Sequence, residues 1–225
     1  MRDGLTAARW DAEYRGGRYA GEPPVAFVAA ILEALTARPA LRARDGLYVG
    51  CGNGRNFLPL VDAGLALLGL DVSPEALRQL AARRPDQAGR LHHGDFPTFV
   101  PPVPIAYVIA IQVLQHGRRA DVERGFARVA ELLAPGGLFF LRVNAASTEV
   151  YHRHAVVERH DDGFTVEYQD GPKQGMAVHF YGRRELDGLT ARAFRPLREP
   201  AEDVTRRAPP KTGSWAQWEG VYERR

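Results

Sequence analysis

Leu47-Tyr48-Val49-Gly50-Cys51-Gly52-Asn53-Gly54-Arg55-Asn56 decides the fold: an apolar run gives way to glycines at alternate positions and then to a helix-forming segment. Glycine adopts positive φ readily and has no Cβ, so such a turn lets the backbone approach a ligand closely. A strand before it and a helix after it are the setting a nucleotide-binding turn requires. The dinucleotide form of that turn, G-x-G-x-x-G, keeps a third glycine for close helix packing. Arg55 stands at that place here, and the glycines fall at 50, 52 and 54. The spacing therefore points away from a dinucleotide.

Working outward, strand and helix signals alternate. Residues 46–50 read as a short buried strand, 56–63 as a helix and 65–70 as a second strand. Asp71-Val-Ser-Pro-Glu75 closes that strand, with Ser73 as N-cap and Pro74 in the first turn of a helix running through Arg84. A third strand is expected at 90–93, and the most continuous apolar strand at 104–111. A helix then covers 120–133, Pro135-Gly136-Gly137 forms a turn, and a strand follows at 138–143. Upstream, 25–35 has the composition and spacing of a helix packed on the domain edge. Residues 145–181 read as an irregular insertion carrying a β-hairpin. A helix at 183–191 and strands at about 193–203 and 215–224 complete the chain. Strands alternating with helices mean βαβ units. The expected fold is α/β, a Rossmann-like doubly wound and mostly parallel seven-stranded sheet with one antiparallel strand. An N-terminal helical cap and the inserted hairpin are added to it.

The 225 residues suit a single domain, divided into a cap (1–43), a core (44–144), an insertion (145–182) and a C-terminal helix with strands (183–225). A hydrophobic content of 45% with 25% charged residues is that of a soluble globular protein. No apolar run reaches the ~18 residues of a membrane helix. The polar N-terminus lacks a secretory signal, and the lone Cys51 cannot form an internal disulfide, so a cytoplasmic location is expected. The net charge is +3. Its arginines are scattered among acids, as in Arg183-Arg184-Glu185, and form no basic block, which argues against nucleic acid. Oligomeric state is not legible.

Two carboxylates follow the turn at telling places. Asp71, 17 residues after Gly54, ends the second strand, where an acceptor-only group can take both hydroxyls of a ribose. This supports a ribose without selecting a cofactor. In His93-Gly94-Asp95-Phe96, Asp95 is placed to accept from an adenine amino group, with Phe96 beside the ring; an ordinary turn aspartate is the plainer alternative.

The glycine turn, Asp71, Asp95, Ile111-Gln-Val-Leu-Gln-His116 and Leu133-Ala-Pro-Gly-Gly-Leu138, in that order, resemble the class I methyltransferase domain over about 44–144. The G-x-G-x-G turn is the form seen in enzymes that use S-adenosylmethionine. Gly50-Cys-Gly-Asn-Gly-Arg-Asn56, Trp10-Asp-x-x-Tyr14, His179-Phe-Tyr-Gly-Arg-Arg-Glu-Leu186 and Gly213-Ser-Trp-Ala-Gln-Trp218-Glu-Gly-Val resemble the tellurite-resistance and thiopurine-type small-molecule methyltransferases. The resemblance implies an S-adenosylmethionine-dependent enzyme acting on a small nucleophile, its N-terminal segment folded over the cofactor. It implies a cofactor site of Tyr14, Tyr48, Gly50, Cys51, Gly52, Asn53, Gly54, Asn56, Asp71, Val72, Asp95, Phe96, Ile111 and Gln112. Tyr48 departs from the family, which carries an acidic residue there; its hydroxyl is the available substitute.

In methyl transfer the cofactor supplies the electrophile, and the protein contributes positioning and desolvation. If the acceptor needs a base, His116 is the candidate, following the fourth strand; capping the turn before Gly117 is the alternative. Trp10, Tyr14 and Tyr19 suit an aromatic lid beside a sulfonium, or N-terminal packing. Tyr151, His179 and Tyr181, with His152 and His154, are candidates to line a substrate pocket. His152-x-His154 has no carboxylate or cysteine partner at ligand spacing, so no metal is expected. Cys51 suits a small filler and Asn56 a helix cap. Alternatives are a regulatory protein that binds the cofactor with weak or no turnover, an NAD-linked oxidoreductase, and a protein or nucleic-acid methylase.

Overall fold

The computed structural model describes residues 2–225, with side chains from residue 6 onward. The chain forms two compact units, one reaching residue 109 and the other spanning 110–225. The first holds helices α1 (Arg2–Arg15), α2 (Phe27–Thr36), α3 (Pro39–Arg42), α4 (Phe57–Asp62) and α5 (Pro74–Arg83), with strands β1 (Gly46–Val49), β2 (Leu67–Asp71) and β3 (Leu91–His93). β1 pairs in parallel with β2, and β2 in parallel with β3. Every residue of β1 and β2 is buried, which explains their unbroken apolar reading. α5 starts as expected: Ser73 Oγ accepts from the Ala76 N–H at 3.1 Å and Pro74 opens the first turn. The unit boundary falls within β4 (Ile105–Ile111), all seven residues of which are buried.

The second unit continues with α6 (Arg119–Leu132), β5 (Leu133–Asn144), β6 (His154–His160), β7 (Gly163–Tyr168), β8 (Ala177–Phe180), α7 (Arg183–Ala191), β9 (Phe194–Arg206) and β10 (Ser214–Arg224). The main sheet is seven-stranded in the order β3-β2-β1-β4-β5-β10-β9, with β10 antiparallel to both its neighbours. This is the expected doubly wound, mostly parallel sheet with one antiparallel strand.

Three expectations change. The Pro135-Gly136-Gly137 turn lies inside β5 as a bend, with Gly136 at φ 84°, and pairing with β10 runs from Leu138. The insertion is a three-stranded antiparallel sheet, β6-β7-β8, and not a hairpin alone. β6 was missed because His-Ala-Val-Val-Glu-Arg-His is half-exposed and has no clean apolar alternation. This sheet packs its own small core of Val166, Val178 and Phe180, with Phe164 stacked on Phe180 at 5.1 Å. Asn56 sits at the N-cap of α4 but does not cap it; its Oδ1 accepts from the Val25 N–H at 3.0 Å. Among the described residues no helix is long and apolar enough to cross a membrane.

Candidate functional site

The glycine turn has the geometry its sequence demands. Gly50, Gly52 and Gly54 all have positive φ, at 68°, 54° and 97°. A Cβ on Gly54 would lie 2.6 Å from Leu80 Cδ1 and 2.9 Å from Leu58 Cγ, so this glycine also lets α4 and α5 close on the turn. A Cβ on Gly52 would collide with the Tyr14 hydroxyl. Asp71, buried at the end of β2, holds the turn: Oδ2 accepts from the Gly52 N–H at 2.7 Å and Oδ1 from the Ser73 N–H at 2.9 Å. Burial raises the Asp71 carboxyl above its ordinary value, and the Ser73 and Gly52 amides pull the other way. A carboxylate has about four lone-pair sites, so these two bonds leave acceptor capacity on both oxygens.

The N-terminal segment is tied to this turn through residues three apart on one face of α1. Asp11 Oδ1 accepts from Ser73 Oγ at 2.5 Å and from the Glu75 N–H at 3.2 Å, placing a carboxylate at the start of α5. Tyr14 is 6% exposed, and burial followed by the nearby Asp71 charge pushes its hydroxyl up. Its ring lies 6.2 Å from Trp10 and 6.4 Å from Tyr19. Tyr19, at φ 60°, is flanked by the guanidinium carbons of Arg18 and Arg55, 4.6 and 5.2 Å from the ring centroid. Asn53 Nδ2 donates to the Arg18 carbonyl, Arg55 Nε to Pro23 and Gln79 Nε2 to Tyr14. Asp11 and Gln79 were missed by the sequence reading; the Trp10-Asp-x-x-Tyr14 spacing is the signal that puts Asp11 beside Tyr14.

Other expected members of this group have different surroundings. Tyr48 is 2% exposed and packs edge-on against Phe57 at 5.9 Å, so its ring belongs to the core. Cys51 is buried, and burial followed by Asp71 raises its thiol well above the ordinary value, consistent with a filler. Asp95 is exposed at the start of a 3-10 turn, Phe96 beside it is buried, and the Val72 carbonyl meets His93 Nε2 at 3.2 Å.

In the second unit, the loop after β4 is stitched to β8: the Gly117 N–H donates to the Ala177 carbonyl and the His179 N–H to Gln115. Ile111 is buried at the end of β4, and Gln112 follows with a positive φ of 60°, its N–H donating to Arg142 at 2.7 Å. Gln112 Nε2 donates to Gln217 Oε1 at 2.9 Å. Burial, then the Lys173 charge, lowers His116 to about 3. That pKa makes the imidazole a weak proton acceptor near neutrality, where a general base is most effective with a pKa close to the working pH.

His179 is 1% exposed, with Nδ1 2.8 Å from Thr165 Oγ1 and Nε2 3.0 Å from Glu185 Oε2. Glu185 also pairs with Arg119, and burial followed by Arg119 lowers His179 to about 4. Tyr181 is fully buried 4.6 Å from the His179 ring, its hydroxyl donating to the Leu114 carbonyl. Both His179 and Tyr181 therefore belong to the packed interior of this unit. Tyr151 is 46% exposed, with Arg207 over its ring at 5.9 Å. His152 Nδ1 lies 3.3 Å from Asp170, and His154 Nδ1 2.8 Å from the His152 carbonyl. Among the described residues no three His, Cys, Asp or Glu side chains gather in a group that could hold a metal ion.

Residues 47–139 match the family model of a methyltransferase domain. No curated protein matches the chain in sequence. Among solved structures, an S-adenosylmethionine-dependent methyltransferase from Clostridium acetobutylicum ATCC 824 is similar at 15% identity and TM-score 0.62, over 99% of each chain. A 1,6-didemethyltoxoflavin-N1-methyltransferase from Burkholderia thailandensis, solved with 1,6-didemethyltoxoflavin and S-adenosylhomocysteine, is 19% identical with TM-score 0.65, over 100% of this chain and 90% of that one. TehB from Haemophilus influenzae is 13% identical with TM-score 0.62, over 95% of this chain and 66% of that one.

Proposed function

We propose that the chain is a class I, S-adenosylmethionine-dependent methyltransferase and that it methylates a small-molecule nucleophile by in-line transfer; the methyltransferase-domain match over residues 47–139 and the shared fold support this reading. One observation carries the reading: three glycines at positive φ are held by a buried carboxylate, Asp71, that keeps acceptor capacity beyond its bonds to Gly52 and Ser73. These residues fit the cofactor, with the glycines leaving room for it to lie close against the backbone and Asp71 able to accept from ribose hydroxyls. When bound, the cofactor supplies a sulfonium methyl group, transferred as the carbon–sulfur pair returns to sulfur to leave S-adenosylhomocysteine. Tyr14 and Trp10 would exclude water and offer aromatic rings near the positive charge, while Tyr19, already flanked by Arg18 and Arg55, would close the segment over them. Burial makes His116 a poor general base, so in this scheme the acceptor attacks through an available lone pair and any proton it sheds goes to solvent. The Burkholderia enzyme, solved with 1,6-didemethyltoxoflavin, supports a small-molecule acceptor.

Calorimetric titration with S-adenosylmethionine and S-adenosylhomocysteine tests this reading, with Asp71→Ala as the comparison. Micromolar affinity reduced at least a hundredfold in the variant is expected, together with S-adenosylhomocysteine release on a panel of small nucleophiles. Binding without turnover on the whole panel would favour the regulatory alternative. Undiminished affinity in Asp71→Ala would refute the assignment of the ribose.

A further inference from the structure

A relay of neutral amides crosses the carboxyl ends of β4 and β5 within the second unit, at the edge where ligands bind in parallel sheets. Trp215 Nε1 donates to Asn144 Oδ1 at 3.1 Å, Gln217 Nε2 to the same oxygen at 3.4 Å, and Gln112 Nε2 to Gln217 Oε1 at 2.9 Å. An indole N–H can only donate. Trp215 therefore fixes Asn144 with its oxygen inward, which fixes Gln217 and then Gln112. Two amide atoms remain without a protein partner among the described residues: Gln112 Oε1, an acceptor, and Asn144 Nδ2, a donor.

Gln217 and Asn144 are 1% and 3% exposed, Gln112 is partly exposed and Trp215 is 36% exposed, so the buried amides lead out to an accessible indole. Gln112 is a non-glycine residue at positive φ, a strained conformation of the kind that collects at functional sites. The relay contains no charged side chain. Arg142, two residues before Asn144, turns its guanidinium to Asp203 at 2.5 Å and Glu219 at 2.7 Å.

Building on the methyltransferase reading, we propose that this relay selects the acceptor, and that the acceptor is a neutral planar heterocycle with a lactam edge. Its ring N–H would donate to Gln112 Oε1, its carbonyl would accept from Asn144 Nδ2 and its ring would lie on Trp215. Amide side chains recognise such paired edges by matching a donor and an acceptor. The relay's own side chains are neutral, so a charged acceptor would lose its hydration there without an ionic partner among them.

The test is calorimetric titration of the full chain, with and without S-adenosylhomocysteine, using quinazolin-4-one as the lactam. Quinoline-2-carboxylate and 2-(aminomethyl)quinoline serve as anionic and cationic counterparts. The lactam is expected to bind at least tenfold tighter than either counterpart. Gln112→Met should weaken it tenfold or more, and Gln112→Glu, which keeps the acceptor oxygen, should restore part of that loss. Trp215→Phe keeps the stacking surface but releases the orientation of Asn144, and should cost a smaller factor. Counterparts bound as tightly as the lactam, or lactam affinity within twofold of wild type in Gln112→Met, overturn the relay. A protein that binds S-adenosylhomocysteine but not the lactam overturns the relay alone. One that binds the lactam but not S-adenosylhomocysteine overturns the cofactor reading and leaves the relay standing.

Discussion

The glycine turn of the first unit and the buried interior of the second are built on opposite principles. The turn is made of backbone: three positive φ values, amides held by Asp71, and a carbonyl at Asn53 that accepts from Arg83 at 2.9 Å. The second unit buries charge. Glu185 on α7 engages both His179 on β8 and Arg119 on α6, and the Arg119 N–H reaches Glu158 on β6. Gly163 on β7 is shaped to the same group, since a Cβ there would collide with the Glu185 carboxylate. A backbone cradle is specified by a few adjacent residues. A charge network needs elements separated by tens of residues to arrive together, and every member suffers if one is missing.

The sharpest way to break this contrast is to remove Glu185. Taking away one partner of a buried ion pair leaves the other charge uncompensated, at ~3–5 kcal/mol. Glu185→Ala is therefore expected to lower unfolding stability by about that amount in urea denaturation. Glu185→Gln, which keeps an acceptor for His179, should lose less. A loss below ~1 kcal/mol in the alanine variant would mean that packing alone holds this unit.

A smaller effect sharpens the other side. Gly52→Ala forces an alanine to φ 54° and drives its Cβ onto the Tyr14 hydroxyl. The left-handed conformation alone costs ~1–2 kcal/mol. The variant should also lose at least tenfold in S-adenosylmethionine affinity. Tyr14→Phe removes the colliding oxygen but not the backbone cost, so in that background Gly52→Ala should destabilise less, by about 1 kcal/mol. Additive losses would show that Tyr14 does not limit this position.

The same contrast explains what was legible in the sequence. Gly50, Gly52, Gly54, Asp71 and the Ser73-Pro74 helix start carry signals within a few residues, and all of them have the expected local geometry. The sheet was legible because β1 and β4 are apolar throughout, β2 is apolar up to Asp71, and α7 has clean helical spacing. β6 was not, because neither of its faces is fully buried. His179 and Tyr181 read as pocket residues because histidine and tyrosine look the same on paper whether they meet a ligand or a buried glutamate. The amide relay had no local mark at all: Gln112, Asn144 and Gln217 meet only because β10 pairs with β5, setting Gln217 opposite Asn144.

The smallest expected effect lies where the N-terminal helix meets the cradle, at Ser73. Its Oγ accepts from the Ala76 N–H as the N-cap of α5 and donates to Asp11 on α1. Ser73→Ala removes both bonds, and loss of an N-cap typically costs ~1 kcal/mol. Asp11 should lose little more in that variant, because it keeps the Glu75 N–H at 3.2 Å and its side chain retains some solvent access. Asp11→Ala leaves the cap intact and removes only the tie to α1. A double-mutant cycle separates the two contributions: a coupling of about 0.5 kcal/mol or more between Ser73→Ala and Asp11→Ala is expected if the serine joins the helices. Strict additivity would reduce Ser73 to a cap, leaving Tyr14 against Gly52 and the Asn53–Arg18 and Arg55–Pro23 bonds to hold the N-terminal segment on the glycine turn.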